Sequence, residues 1–198
     1  MKQEQMEELV LQSLEHEIGG AKVYEKALEC AINPDLKEEW VKYLDETREH
    51  ADKLREICAA LSIDPNRQTS GRAVVRHVGN ALVQAMTMAL SDGNRKSAEL
   101  VASECVVLAE TKDHLDWELL GKCADALDGS GIKLRAISEP IEDQEDQHLY
   151  HSRGFCRELW MASLGMNAIL PPPEEVRKVK TAIGAARAEK AADRERGA

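Results

Sequence analysis

The chain has 198 residues, enough for one domain with a real core, and its net charge of −10 disfavours nucleic acid and anionic membranes, both polyanions, as partners. Ala, Leu, Glu, Lys and Arg abound beside one Phe and three Tyr, and no alternating run of β-branched residues is long enough for a strand, so the composition points to an all-α protein. Five scattered cysteines without a CxxC pair, and no N-terminal signal segment, predict reduced thiols and a cytoplasmic location and argue against a rubredoxin-type iron site.

Apolar spacing predicts helix A over about 5–32, ended by Asn33-Pro34-Asp35, which also starts the next helix. Its inward stripe is Val10, Leu14, Glu17, Ala21, Tyr24 and Leu28, with Glu17 its one charge. Gly19-Gly20 weakens the helix slightly and leaves room for a close neighbour. Helix B is predicted over about 35–62, and the short link makes A and B an antiparallel hairpin. Its stripe passes Leu36, Trp40, Leu44, His50 or Ala51, Leu54 and Cys58, so Glu46 and His50 point into apolar surroundings. A carboxylate there is costly unless a cation or a hydrogen-bond donor compensates it.

Residues 72–90 are apolar on much of the circumference, and as a helix would span about 30 Å. This segment is either a crossover returning the chain along the length of a bundle or an additional packed helix, and its broad apolar surface also suits a dimer interface. Arg76, His77, Asn80 and Gln84 interrupt it, so it does not read as a membrane span. Helix C is predicted over about 95–127, with Val106, Val107, Glu110, Asp113 or His114, Trp117 and Leu120 inward, and closes at Asp128-Gly129-Ser130-Gly131. Helix D is predicted to start or break at Pro140, with Ser138 as N-cap and a separate short helix over 132–137 before it. Its stripe is Ile141, Glu145, His148, Ser152, Phe155 and Leu159. The run Leu170-Pro171-Pro172-Pro173 ends the packed domain, giving a bundle over 1–170 and a tail over 171–198 that is either helical or disordered.

The halves are alike. Glu17 precedes Tyr24 by two helical turns, as Glu110 precedes Trp117, and each half follows with a Glu/His cluster. Carboxylates and imidazoles projecting inward from four helices suit two divalent iron or manganese ions. One Glu on each of two helices and Glu-x-x-His on the other two is the scheme of ferritin-like proteins. The sequence from Glu46 to Leu54 is similar to the ferritin helix-B motif, Glu145-Asp146-Gln147-His148 is an intact Glu-x-x-His, and Glu110 falls where the helix-C carboxylate is expected. On these residues the chain, over about 8–165, resembles the ferritin-like superfamily of ferritins, bacterioferritins and rubrerythrins. The resemblance implies an up-down four-helix bundle with a long B–C crossover. It implies Glu17 and Glu110 as terminal metal ligands, Glu46 and Glu145 as bridges, and His50 and His148 each completing one metal. Tyr24 would lie close enough to donate electrons. One departure stands out: Thr47 occupies the position where the family has its bridging glutamate, with Glu46 beside it.

The expected function is a di-iron protein, two Fe per chain with Mn as the alternative, reacting with oxygen or peroxide as an oxidase or ferroxidase and assembling as a homodimer or larger homo-oligomer. A metal-free ferritin-like bundle serving as a stress or interaction protein is the alternative that Thr47 favours, and a haem-binding bundle with paired His or Met ligands is a third.

Overall fold

A computed structural model describes residues 1–127 and 129–167. They form five helices and no strand: α1 (Gln3–Cys30), α2 (Pro34–Ala60), α3 (Ser70–Ser91), α4 (Arg95–Asp125) and α5 (Gly129–Ser163). The tail expected from residue 171, and the domain limit at 170, lie outside the described residues. Within them, no helix is long and apolar enough to cross a membrane.

The helix starts follow from local chemistry. Asn33 Oδ1 accepts from the backbone N–H groups of Asp35 and Leu36, and Pro34 fits the first helical turn because its missing donor is not needed there. Thr69 and Asn94 cap α3 and α4 in the same way. The N–H groups of Ile32 and Asn33, at the turn between α1 and α2, donate to the buried carboxylate of Glu99 on α4, which pins that turn to a third helix.

One boundary differs from the sequence reading. Pro140 lies inside α5, which is continuous from Gly129, so Ser138 is not an N-cap and residues 132–137 are not a separate helix. Proline removes the hydrogen bond to the carbonyl four residues back. Leu134 before it and Ile141 after it are nevertheless buried in one apolar cluster, and that shared packing holds the two segments in a single helix.

Named contacts give the helix directions. On α1 and α2, Glu17 meets His50 while Cys30 and Leu36 share a cluster, so the pair is antiparallel. α1 and α4 meet through Glu17–Trp117 and Tyr24–Glu110, α4 and α5 through Glu110–His148 and Glu104–Trp160, α2 and α5 through Tyr43–His151 and Glu46–His148; each pair is antiparallel. Hence α2 and α4 run the same way, and the chain between them must travel back. α3 makes that return, parallel to α1 and packed on the outside against α1 and α4. Gly19 and Gly79 face each other there, close enough that a Cβ on Gly79 would sit 3.6 Å from the Gly19 Cα. Residues 72–90 are therefore both a crossover and a packed helix.

The start of α3 is locked by charge. Arg72 and Glu15 are both buried, with Arg72 Nη2 2.9 Å from Glu15 Oε2, and Arg72 Nη1 also donates to the carbonyls of Pro65 and Arg67. Arg76, largely exposed, donates to the same carboxylate from Nε at 2.6 Å. A Cβ on Gly71 would meet the ends of the Glu8 and Gln12 side chains, which would have to move aside to admit it.

The core is in two parts. One cluster gathers Tyr24, Trp40, Tyr43, Met86, Val106 and Phe155; the other gathers Leu11, Leu14, Leu54, Ile57, Trp117 and Leu120. Each buried aliphatic side chain contributes about 1.5–3 kcal/mol. Between the clusters lies a layer of buried polar side chains.

Replacing Arg72 by alanine leaves Glu15 with one exposed partner and strands two carbonyls; urea denaturation is expected to show a loss of about 3 kcal/mol, and a much smaller loss for Arg76→Ala, whose charge is solvent-screened.

Candidate metal centre

Glu17 of α1, Thr47 and His50 of α2, Glu110 and Asp113 of α4, and Glu145 and His148 of α5 make up the polar layer, all nearly inaccessible to solvent. In α2 and α5 the inward residues are three apart, so Thr47 and His50, and Glu145 and His148, stand one above the other on one helix face. His50 Nδ1 lies 3.0 Å from Glu145 Oε1 and 3.6 Å from Glu17 Oε1. His148 Nδ1 lies 3.3 Å from Glu145 Oε1 and 3.5 Å from Glu110 Oε2. Two donor triads result, Glu17/His50/Glu145 and Glu110/Glu145/His148, each with one donor atom per residue within 4.8 Å of the others. Glu145 belongs to both.

Glu17, Glu110, His50 and His148 are each also held at one atom by a neighbour. Trp117 Nε1 donates to Glu17 Oε1 at 2.7 Å, and the Tyr24 hydroxyl donates to Glu110 Oε1 at 2.7 Å. His50 Nε2 meets Gln144 Oε1 at 2.9 Å, and His148 Nε2 meets Glu46 Oε2 at 2.9 Å. The pattern is a pseudo-repeat: the residue just before Thr47 holds the imidazole of α5, and the residue just before Glu145 holds the imidazole of α2. Glu46, half-buried and paired with Lys42, stands on the outer nitrogen of His148 and outside both triads. Tyr43 packs over His148 with ring centroids 4.1 Å apart and hydrogen-bonds His151 Nδ1 at 2.6 Å.

Other atoms of the layer are not held. Glu17 Oε2, His50 Nδ1, Glu110 Oε2, Asp113 Oδ1, both oxygens of Glu145 and His148 Nδ1 are buried without a hydrogen-bond partner. The contacts of the two Nδ1 atoms with Glu145 are near but not aligned for hydrogen bonds. An unmatched buried carboxylate oxygen or imidazole nitrogen is expensive, and this many facing one point fit divalent cations with mixed oxygen and nitrogen ligands.

Electrostatics describe the metal-free centre. Burial by itself would lower the His50 pKa, but its contacts with Glu145 and Glu17 raise it to about 10. His148 is raised well above the usual imidazole value, as Glu145, Glu110 and Glu46 outweigh burial. Burial pushes Glu17 up to about 7 and also raises Glu110 and Asp113, the last with further repulsion from Glu17, Glu145 and Glu110. Burial opposes ionisation of Glu145 too, yet His148 and His50 outweigh it and hold its carboxyl well below the usual range. Without metal, then, the two imidazoles serve as the cations of the cluster.

The five candidates Glu17, His50, Glu110, Glu145 and His148 are brought together, Tyr24 touches Glu110, and Glu46 lies behind His148. Asp113, Gln144 and His151 were not among the sequence candidates. Asp113 was legible as half of an ambiguous pair with His114, which is half-buried and bonds Asp146. Gln144 and His151 carried no signal, because their roles depend on which helix lies opposite. Glu49, a spare carboxylate on α2, is exposed. Comparison with family models, curated proteins and solved structures finds no match to this chain.

Because the folded pKa of His50 lies above its ordinary 6.5, the charged ring contributes stability that is fully present below 6.5 and lost as pH rises through about 10. Chelator-treated protein should therefore weaken to urea as pH climbs through that window. Added divalent metal should oppose the trend, since its ligands must be deprotonated; a metal-free protein whose stability stays flat to alkaline pH would contradict the assignment.

Proposed function

We propose that the chain is a ferritin-like up-down four-helix bundle, formed by α1, α2, α4 and α5 with α3 as the crossover, that holds two divalent metal ions for reaction with oxygen or peroxide. Iron is the first expectation and manganese the alternative. The observation that carries this reading is the set of buried, unpartnered donor atoms from all four of these helices meeting at Glu145. The antiparallel pairings and the parallel α2 and α4 are the directions such a bundle requires.

Divalent iron, when bound, supplies the electrons and the open coordination positions that reduction of oxygen or peroxide needs. The residues of this chain do the rest. Glu145 would serve both ions, with Glu17 and His50 at one position and Glu110 and His148 at the other. Trp117 and Tyr24 fix the carboxylates of Glu17 and Glu110 through one oxygen of each. Tyr24 is also an oxidisable side chain one hydrogen bond from the centre, and we assign it the electron-donating role. The apolar clusters on either side exclude water from the layer.

Glu46 and Gln144 act as positioning residues. A carboxylate behind an imidazole makes the ring more basic than an amide does, so the His148 position should bind metal more tightly than the His50 position. Thr47 supports a second reading. It is buried where a bridging carboxylate is expected, its methyl sits against Gly20, and the two imidazoles partly neutralise the carboxylates without any ion. A metal-free bundle acting through its surface would have these features.

Anaerobic ferrous titration separates the two readings: the dimetal reading expects about two ions per chain, lost together in Glu145→Ala and reduced by half in Glu17→Ala, whereas no binding, or binding unchanged in both variants, supports the metal-free bundle. In the same titration Glu46→Gln should weaken the tighter site by about tenfold or more, and Gln144→Glu should narrow the gap between the two sites by strengthening the weaker one.

A further inference from the structure

Between α3 and α4, over α1, lies a cleft of about 350 Å³, within the range of about 300–1,000 Å³ usual for small-molecule sites. His16 and Gly20 belong to its floor, Val75, Val78 and Leu82 to one wall and Leu108 to the other. Glycines on α1 and α3 make the room, since no side chain projects from Gly19, Gly20 or Gly79. The lining is mainly apolar, and its polar side chains are already engaged: Glu15 by Arg72 and Arg76, Gln12 by Glu8, and Lys112 by Asp116. His16 differs. Its Nε2 lies 3.0 Å from the Ala109 carbonyl, which can only accept, so Nε2 carries a hydrogen and the lone pair of the neutral ring falls on Nδ1. Among the described residues no donor meets Nδ1.

The floor is also one residue thick toward the polar layer. His16 Nε2 lies 4.0 Å from Asp113, Gly20 packs on Thr47, and Ala109 immediately precedes Glu110. We propose that this cleft binds a small, mainly apolar molecule bearing one hydroxyl, with the hydroxyl donating to His16 Nδ1 and the apolar body between α3 and α4. A carboxylate in the same place would find no free cation, because Lys112 is paired, and an ammonium would lie in an apolar wall. Its occupant is the organic substrate of the adjacent centre; that last step alone rests on the dimetal reading.

The test is calorimetric titration of the full chain, treated with chelator, with 1-hexanol and with 1-methoxypentane, an ether of similar size that lacks the hydroxyl hydrogen. The expected result is saturable one-to-one binding, with the alcohol preferred by about tenfold. Val78→Trp and, from the opposite wall, Leu108→Trp should each abolish it, while Val41→Trp, equally exposed on the far helix α2, should not. His16→Phe should remove the preference for the alcohol and keep the apolar binding. Absence of saturable binding, or binding that survives both cleft-filling variants in folded protein, overturns the site; an alcohol preference that survives His16→Phe overturns the assignment of the hydroxyl. Adding cobalt(II) tests the link to the centre. A visible cobalt spectrum that changes with 1-hexanol supports it, and an unchanged one removes the substrate role. Failure to take up cobalt instead counts against the dimetal reading and leaves the chelator-treated titration intact.

Discussion

The structure depends on one buried carboxylate, Glu145, and on how its charge is met. It sits between two apolar clusters that could have been one continuous core, and both its oxygens lack hydrogen-bond donors. Leaving an ionised carboxyl so placed would cost several kcal/mol. Two imidazoles from different helices crowd against it, and the carboxylates of Glu17 and Glu110 approach the same Nδ1 atoms. A layer built this way is coherent only if its members are brought to one height by all four helices, which makes helix register as decisive as side-chain identity.

That register is fixed from outside the layer. The Glu15–Arg72–Arg76 network ties α3 to α1 at one end, Glu99 ties α4 to the α1–α2 turn at the other, and the Gly19–Gly79 contact sets the spacing between α1 and α3. Around the centre the two halves echo each other through the crossed partners Glu46 and Gln144. The echo is broken at Thr47, where α2 offers a methyl and a hydroxyl opposite the carboxylate that α5 provides. On the proposed reading this asymmetry leaves Glu145 as the lone bridge and makes the two metal positions unequal.

Much of this was legible in the sequence. Helical periodicity located the helices to within a few residues, because each carries a sustained apolar stripe and strong stops such as Asn33-Pro34 and Asp92-Gly93-Asn94. The inward-facing Glu17, His50, Glu110, Glu145 and His148 were legible because a charged residue interrupting an apolar stripe has few inexpensive explanations. Pro140 misled, since a local breaker was outweighed by burial on both sides of it. Glu46 lay one residue from the expected ligand position, and one residue rotates a side chain by about 100°, enough to send it behind His148. Gln144 and His151 remained hidden for a related reason: spacing along one helix does not reveal what faces it across the core. The cleft over His16 was equally invisible, because it is lined by three helices whose packing the spacing does not reveal, and its room comes from the side chains that glycine lacks.

The most direct measurement is anomalous diffraction from crystals grown with manganese(II) or, anaerobically, with iron(II). The account predicts two anomalous peaks in the polar layer, about 3.5–4 Å apart, with Glu145 between them, His50 Nδ1 on one and His148 Nδ1 on the other. Peaks confined to surface carboxylates, or none at all with the imidazoles still seated against Glu145, would contradict it.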